Sequence, residues 1–256
     1  MARRIFTMLE NNPEVMTKLG HNLGLSRELA FYDVYSLDDP ELLALVPRPV
    51  TAVLAILPAT KAWLQSRQAE DDGRGWYEGV GPAEPVLWFR QTIPHGCGLI
   101  GLLHCAFNGA ATTPTADADA DADATIVPGS LLDAIRSRAL PLTMHERADV
   151  LATSDRLYEA SEAAAVTGDS RVLPHEDHER LGQHFVAFVK GRDGHLWELE
   201  GARKGPLDRG PLGADEDALS PKALELGIKR VLAMQGNDDD EGDVRFSLIA
   251  LGPRRD

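Results

Sequence analysis

The chain has 256 residues, 43% of them hydrophobic, which is enough for one large or two small domains with a real core. Its net charge of −14 argues against a nucleic-acid partner and suits a basic one. The first 30 residues lack a signal peptide's apolar run and no stretch approaches the roughly 20 apolar residues of a membrane span, so a soluble protein without membrane contact is expected.

In chain order, residues 4–9 suit a short first strand. Asn12, Pro13 and Glu14 read as N-cap, first helical position and acidic first turn of a helix that stops near Gly20 or Gly24. Phe31–Tyr35 is strand-like, and Asp39-Pro40-Glu41 opens a short helix over Leu42, Leu43 and Leu45. A two-proline connector, 46–50, leads into Thr51–Leu57, an unbroken apolar run suited to the middle of a sheet. Ala69–Glu84 reads as a mobile loop and Pro85–Arg90 as a strand. The alternating Ala-Asp stretch in 111–128 repeats like charge with little to bury and is expected to be a disordered insertion; inert loop expansion is preferred to an acidic tether.

Ser130 caps a helix ending at Pro141, and Thr143 with Glu146 has the capping-box form for a helix reaching Ala165. Residues 166–182 form a polar link. Within it, His175 and His178 could suggest a metal, but no second ligand cluster supports one, so a solvated loop and no cofactor are expected. Gln183–Lys190 and His195–Glu200 form a hairpin, Pro221 to about Gly236 a last long helix, and Val244–Leu251 a final strand. These elements describe an α/β (α+β) single domain over 1–256, with a mainly antiparallel central sheet flanked by helices on both faces.

Gln91–Asn108, QTIPHGCGLIGLLHCAFN, is the stretch that carries chemistry. A loop ends at Cys97 and an apolar helix begins there, where orphan N–H groups favour thiolate. On local sequence alone a buried structural cysteine is an equal alternative. Cys105 is eight positions further along the same helix, about 12 Å away and out of disulfide reach, which suits a reducing compartment.

Gln91 followed six positions later by Cys97 in a GCG turn, then GLLH, resembles the active-site signature of the ubiquitin carboxyl-terminal hydrolases, papain-like cysteine peptidases. The N-terminal stretch LENNPEVMTKLG, YDVY and DPELLALVPRPVTAVLAILP resembles the same family over about fifty residues, and QHFVAF resembles the HF motif that holds its catalytic histidine. The resemblance implies a papain-like fold with a knotted backbone, with 166–182 as a crossover loop over the cleft. It implies Cys97 as nucleophile, His184 as base, and the Gln91 amide with the Cys97 backbone N–H as oxyanion donors. Of the seven other histidines, His95 sits in the turn and His104 is carried about 10 Å from the thiol along the helix. The orienter departs from the family's YELDG motif. Here the chain reads WELEG, so Glu200 takes the aspartate's place, and the hairpin turn is one residue longer.

The implied activity is a thiol-dependent deubiquitinating hydrolase that cleaves amide, ester or isopeptide bonds after ubiquitin's C-terminal glycine, favouring small or unfolded adducts. Asp33, Glu10 and Asn12 are implied ubiquitin contacts, and ubiquitin's arginine-rich tail fits the acidic balance. A cytoplasmic, also nuclear, monomer is expected. Two alternatives stand beside this reading: a hydrolase for a ubiquitin-like modifier, and a non-catalytic ubiquitin-binding module.

Overall fold

The computed structural model describes residues 4–109, 125–169, 182–235 and 246–255. Most of the Ala-Asp stretch, His175 and His178, most of the crossover segment and the acidic 236–245 loop lie outside them. A six-stranded antiparallel sheet runs through the middle of the molecule. Its strands are β1 (Leu29–Asp33), β2 (Ala52–Pro58), β3 (Gln183–Lys190), β4 (His195–Leu199), β5 (Leu207–Pro211) and β6 (Ser247–Pro253), in the order β1-β6-β2-β3-β4-β5. The apolar run of β2 lies between β6 and β3, as its composition requires: all but one of its residues are buried.

Period-two alternation sends successive side chains to opposite faces and creates two cores. On the first face Leu54, Phe185, Ala187 and Leu199 pack with α1 (Pro13–Leu23), α4 (Cys97–Asn108), α5 (Leu131–Ala139), α6 (Met144–Ala152) and α7 (Asp155–Ala165). On the second, Val53, Ala55, Val186 and Phe188 pack with Trp63 of α3 (Lys61–Asp72) and with α8 (Pro221–Leu226) and α9 (Ile228–Gln235). The short α2 (Pro40–Leu43) borders this second core through Leu43.

Local rules account for the helix ends. Asn12 accepts from the Glu14 and Val15 N–H groups, Pro13 follows at the first position, and Gly24 closes α1 at φ +117°. Every residue of α4 is buried, so this helix is central rather than amphipathic. It approaches the sheet closely because Gly98 and Gly101 lack side chains. A β-carbon on Gly101 would lie 2.6 Å from Leu54 Cδ1, and one on Gly98 3.3 Å from Phe185 Cε2.

Several expectations are corrected. Residues 4–9 are not a strand; Phe6 N–H instead donates to Pro94 O, and the Thr7 N–H and hydroxyl donate to Glu162. Pro85–Arg90 is not a strand either, because side chains take over the ladder's hydrogen bonds. Asn108 accepts from Leu87 N–H and donates to Leu87 O, while His104 Nε2 accepts from Phe89 N–H. The loop expected from Ala69 begins only after Asp72, where α3 ends. The helix expected to reach Ala165 is broken at Thr153-Ser154, with Ser154 capping α7, and the last helix breaks at Gly227. The insertion expected to end at 128 returns earlier: Thr125 is buried and Ile126 bridges Leu25. Strand β5 and helix α3 were not anticipated.

Gly101→Val places a branched side chain against a fully buried Leu54 and is expected to cost about 1–3 kcal/mol through overpacking. A urea titration reads this as a lower midpoint at unchanged slope.

Candidate active site

Cys97 is the first residue of α4, with Gly96 as an N-cap that offers no side-chain hydrogen bond. His95 just before it adopts φ +59°, which turns the chain sharply into the helix. The thiol is buried against β3. Burial pushes its pKa above the ordinary value; backbone hydrogen bonding from Phe185, Gly98 and Cys97 itself pulls the other way, and the Glu200 charge adds to the rise. Contrary to the thiolate expected at a helix start, the resting group is therefore a thiol at neutral pH. Desolvation outweighs the helix terminus here.

His184 is the second residue of β3, opposite Leu57 of β2. It shares the parity of Val186 and Phe188, so its ring lies on the second face, 5.8 Å from the Trp63 ring and tilted by 58°. Its Nδ1 is 3.6 Å from Glu200 Oε1. Burial, followed by the charge of Arg67, pushes its pKa down to about 4, which leaves a neutral imidazole able to take a proton. Glu200 is 2% exposed and directly follows β4. Burial pushes its carboxyl up to about 7, against a downward pull from Arg67, whose Nη2 is 3.0 Å from the same Oε1.

Gln91 ends the extended segment ahead of the cysteine turn, and that segment is clamped to the β4 end. Gln91 N–H donates to Gly201 O at 2.8 Å, and Trp88 Nε1–H donates to Glu200 O at 3.2 Å. Gly201 is needed for this approach, since a β-carbon there would lie 2.8 Å from Gln91 Cβ and 3.0 Å from Ile100 Cγ2. The Gln91 side-chain amide makes a long 3.4 Å bond to Ile93 O. Of the competing histidines, His104 is fully buried, and burial pushes its pKa down to about 3. Among the described residues no group of three or more His, Cys, Asp or Glu could hold a metal ion.

The expected ubiquitin contacts lie on the N-terminal segment and on strand β1. Asp33 ends the edge strand β1, accepts from the Tyr35 hydroxyl at 3.4 Å and lines a groove of about 670 Å³ between α1 and β1. Asn12, besides capping α1, donates to Asp169 at 3.5 Å, and Glu10 lies against Gly168. Both N-terminal residues thus touch the start of the 166–182 segment.

A family model described as ubiquitin carboxyl-terminal hydrolase, family 1, matches residues 6–233, which contain all four residues of the cluster. The chain belongs to the ubiquitin carboxyl-terminal hydrolase family. It is 32% identical to ubiquitin carboxyl-terminal hydrolase 3 of Arabidopsis thaliana, covering 96% of this chain and 93% of that one. It is 29% identical to the hydrolase YUH1 of Saccharomyces cerevisiae (98% and 97% covered), and 28% to human isozyme L1 (95% and 96% covered). In fold it is similar to the Trichinella spiralis UCH37 catalytic domain, solved bound to ubiquitin vinyl methyl ester. That likeness has a TM-score of 0.69 at 19% identity, over 100% of this chain and 98% of the other. The papain-like fold of the family is thereby shown.

Within this family fold, sequence reasoning missed Trp63 and Arg67, which stand beside the histidine and the glutamate. The available signal was Thr60 followed by twelve residues without Gly or Pro, a cap and a helix-compatible run.

Because folding raises the Glu200 carboxyl from its usual 4.5 to about 7, the stability it contributes is full below pH 4.5 and is lost as pH rises through 7. Glu200→Gln cannot ionise. Its stability relative to the parent should therefore rise by about 1–3 kcal/mol between pH 5 and pH 8, as read by urea midpoints.

Proposed function

We propose that this chain is a thiol-dependent ubiquitinyl hydrolase that cuts amide, ester or isopeptide bonds after the C-terminal glycine of ubiquitin. The observation that carries the reading is the junction of two segments far apart in sequence. The Gln91 segment is hydrogen-bonded to Gly201 at the hairpin end that holds Glu200, which in turn faces His184.

In this reading His184 takes the thiol proton as Cys97 Sγ attacks the scissile carbonyl. The negative charge on the carbonyl oxygen is met by the Gln91 amide, which exchanges its long bond to Ile93 O for the oxyanion, and by the Cys97 backbone N–H. The imidazolium returns the proton to the leaving amine, giving a thioester between Cys97 and ubiquitin's terminal glycine. Water, deprotonated by the same histidine, then hydrolyses the thioester and restores the thiol. Glu200 accepts from His184 Nδ1–H, fixes the tautomer and stabilises the imidazolium. Because the buried thiol and the half-buried imidazole are both neutral at rest, the ion pair forms only as the site is engaged.

Asp33, Glu10 and Asn12 contact ubiquitin along the N-terminal face. The start of the 166–182 segment, at Gly168 and Asp169, meets Glu10 and Asn12, and small or unfolded adducts are favoured. The protein acts as a monomer in the cytoplasm, and in the nucleus.

Purified protein should release the fluorophore from a ubiquitin C-terminal amide and form a covalent adduct with a ubiquitin vinyl electrophile. Cys97→Ala should abolish both, and Glu200→Ala should lower kcat/KM roughly 10²–10⁴-fold. An adduct without turnover would leave only a binding module with a reactive thiol. Faster turnover of the corresponding amide of a ubiquitin-like modifier would move the activity to that modifier. Ubiquitin joined to a short peptide should be cut at least about 10-fold faster than ubiquitin joined to a folded domain, and equal rates would remove the size restriction.

A further inference from the structure

Helix α3 carries Trp63 and Arg67 one turn apart, on the face that meets β3 and β4. The Arg67 guanidinium lies over the Trp63 ring, 4.9 Å from its centroid, and its Nη2 is 3.0 Å from Glu200 Oε1. That same oxygen is 3.6 Å from His184 Nδ1, and the His184 ring is 5.8 Å from Trp63. The four side chains close a ring in which each touches two others. Three buried atoms inside it, Arg67 Nε and both Glu200 carboxylate oxygens, have no hydrogen-bond partner, so Arg67 meets Oε1 as an ion pair.

The neighbouring cations are committed elsewhere. Arg203 pairs with Glu70 and Asp71, and Arg209 with Glu70 and Glu198. Among the described residues, Arg67 has its ion pair with Glu200 alone. A glutamate also has one more rotatable bond than the aspartate of the family motif, so an orienting carboxylate at this position needs a second anchor.

We propose that Arg67 is the positioning residue of the catalytic carboxylate: it holds Glu200 through Oε1 and leaves Oε2 open to accept the Nδ1–H of His184 as the imidazole turns toward Cys97. This rests on the hydrolase reading above. Arg67 also sets the charge of the site. The groups facing Glu200 are Arg67 and Asp71 from α3, His184 from β3, Glu198 from β4, Arg203 from the following loop and Cys97 from α4. Removing the cation that pairs with Glu200 makes its carboxyl harder to ionise and His184 easier to protonate, because Arg67 pulls both downward. Both changes move the acid limb of the rate profile to higher pH.

The test uses the full chain, the ubiquitin C-terminal fluorogenic amide from pH 5 to 10, and urea midpoints. Arg67→Met, which keeps the apolar stem over Trp63, should lower kcat/KM roughly 10–100-fold, chiefly in kcat, and move the acid limb up by about 0.5–1 pH unit. Arg67→Lys keeps the charge without the fork; it should hold the limb at the parent position while kcat falls several-fold. A reduced urea midpoint with an unmoved limb in Arg67→Met would overturn the proposal and leave a structural arginine. A limb displaced in Arg67→Lys would overturn it too, and remains readable if the methionine variant does not fold. A parent protein with neither turnover nor a vinyl adduct would instead overturn the hydrolase reading itself.

Discussion

The structure depends on a backbone hydrogen bond, Gln91 N–H to Gly201 O, and on the absence of a side chain at Gly201 that permits it. Gln91 belongs to the segment that leads into the cysteine turn; Gly201 follows the β3–β4 hairpin about a hundred residues later. Joining them sets the Gln91 amide and the start of α4 beside the end of the sheet where His184 and Glu200 stand. The Trp88 indole bonded to Glu200 O adds a second fastening, and the close seat of α4 at Gly98 and Gly101 a third. Each fastening uses backbone or a buried ring, so the site is framed by parts with little freedom to move.

The electrostatics follow from how deeply this frame is buried. A helix terminus stabilises an anion by about 0.3–1 kcal/mol at exposed sites, whereas burial without a counter-charge shifts a titrating group by several units. Burial therefore decides the resting state, with a thiol at Cys97, a neutral imidazole at His184 and a Glu200 carboxyl poised near neutrality. Such a site avoids holding unpaired charges out of water. Arg67 is the counterweight that keeps Glu200 within reach of ionisation.

Much of the fold was legible because local rules governed it. Asn12 with Pro13, Thr143 with Glu146 and the apolar run of β2 each appear where capping chemistry and burial put them. The misses have specific causes. Pro85–Arg90 has strand composition, yet Asn108 and His104 meet its backbone groups before any neighbouring strand does. Helix α3 has a polar surface and only Trp63 and Asp71 buried, so no apolar stripe announced it. With α3 unseen, Trp63 and Arg67 had no place beside the site.

By itself the sequence determined the family, the cysteine at a helix start, the histidine at a strand start and the glutamate at a hairpin end, because motif spacing and capping are written in neighbouring residues. Tertiary structure alone decided that Gln91 meets Gly201, that Arg67 shares Glu200 with His184, and that Cys97 rests as a thiol. The physical reason is common to all three. Contacts between distant segments and the loss of water around a charge arise only when the chain has closed on itself.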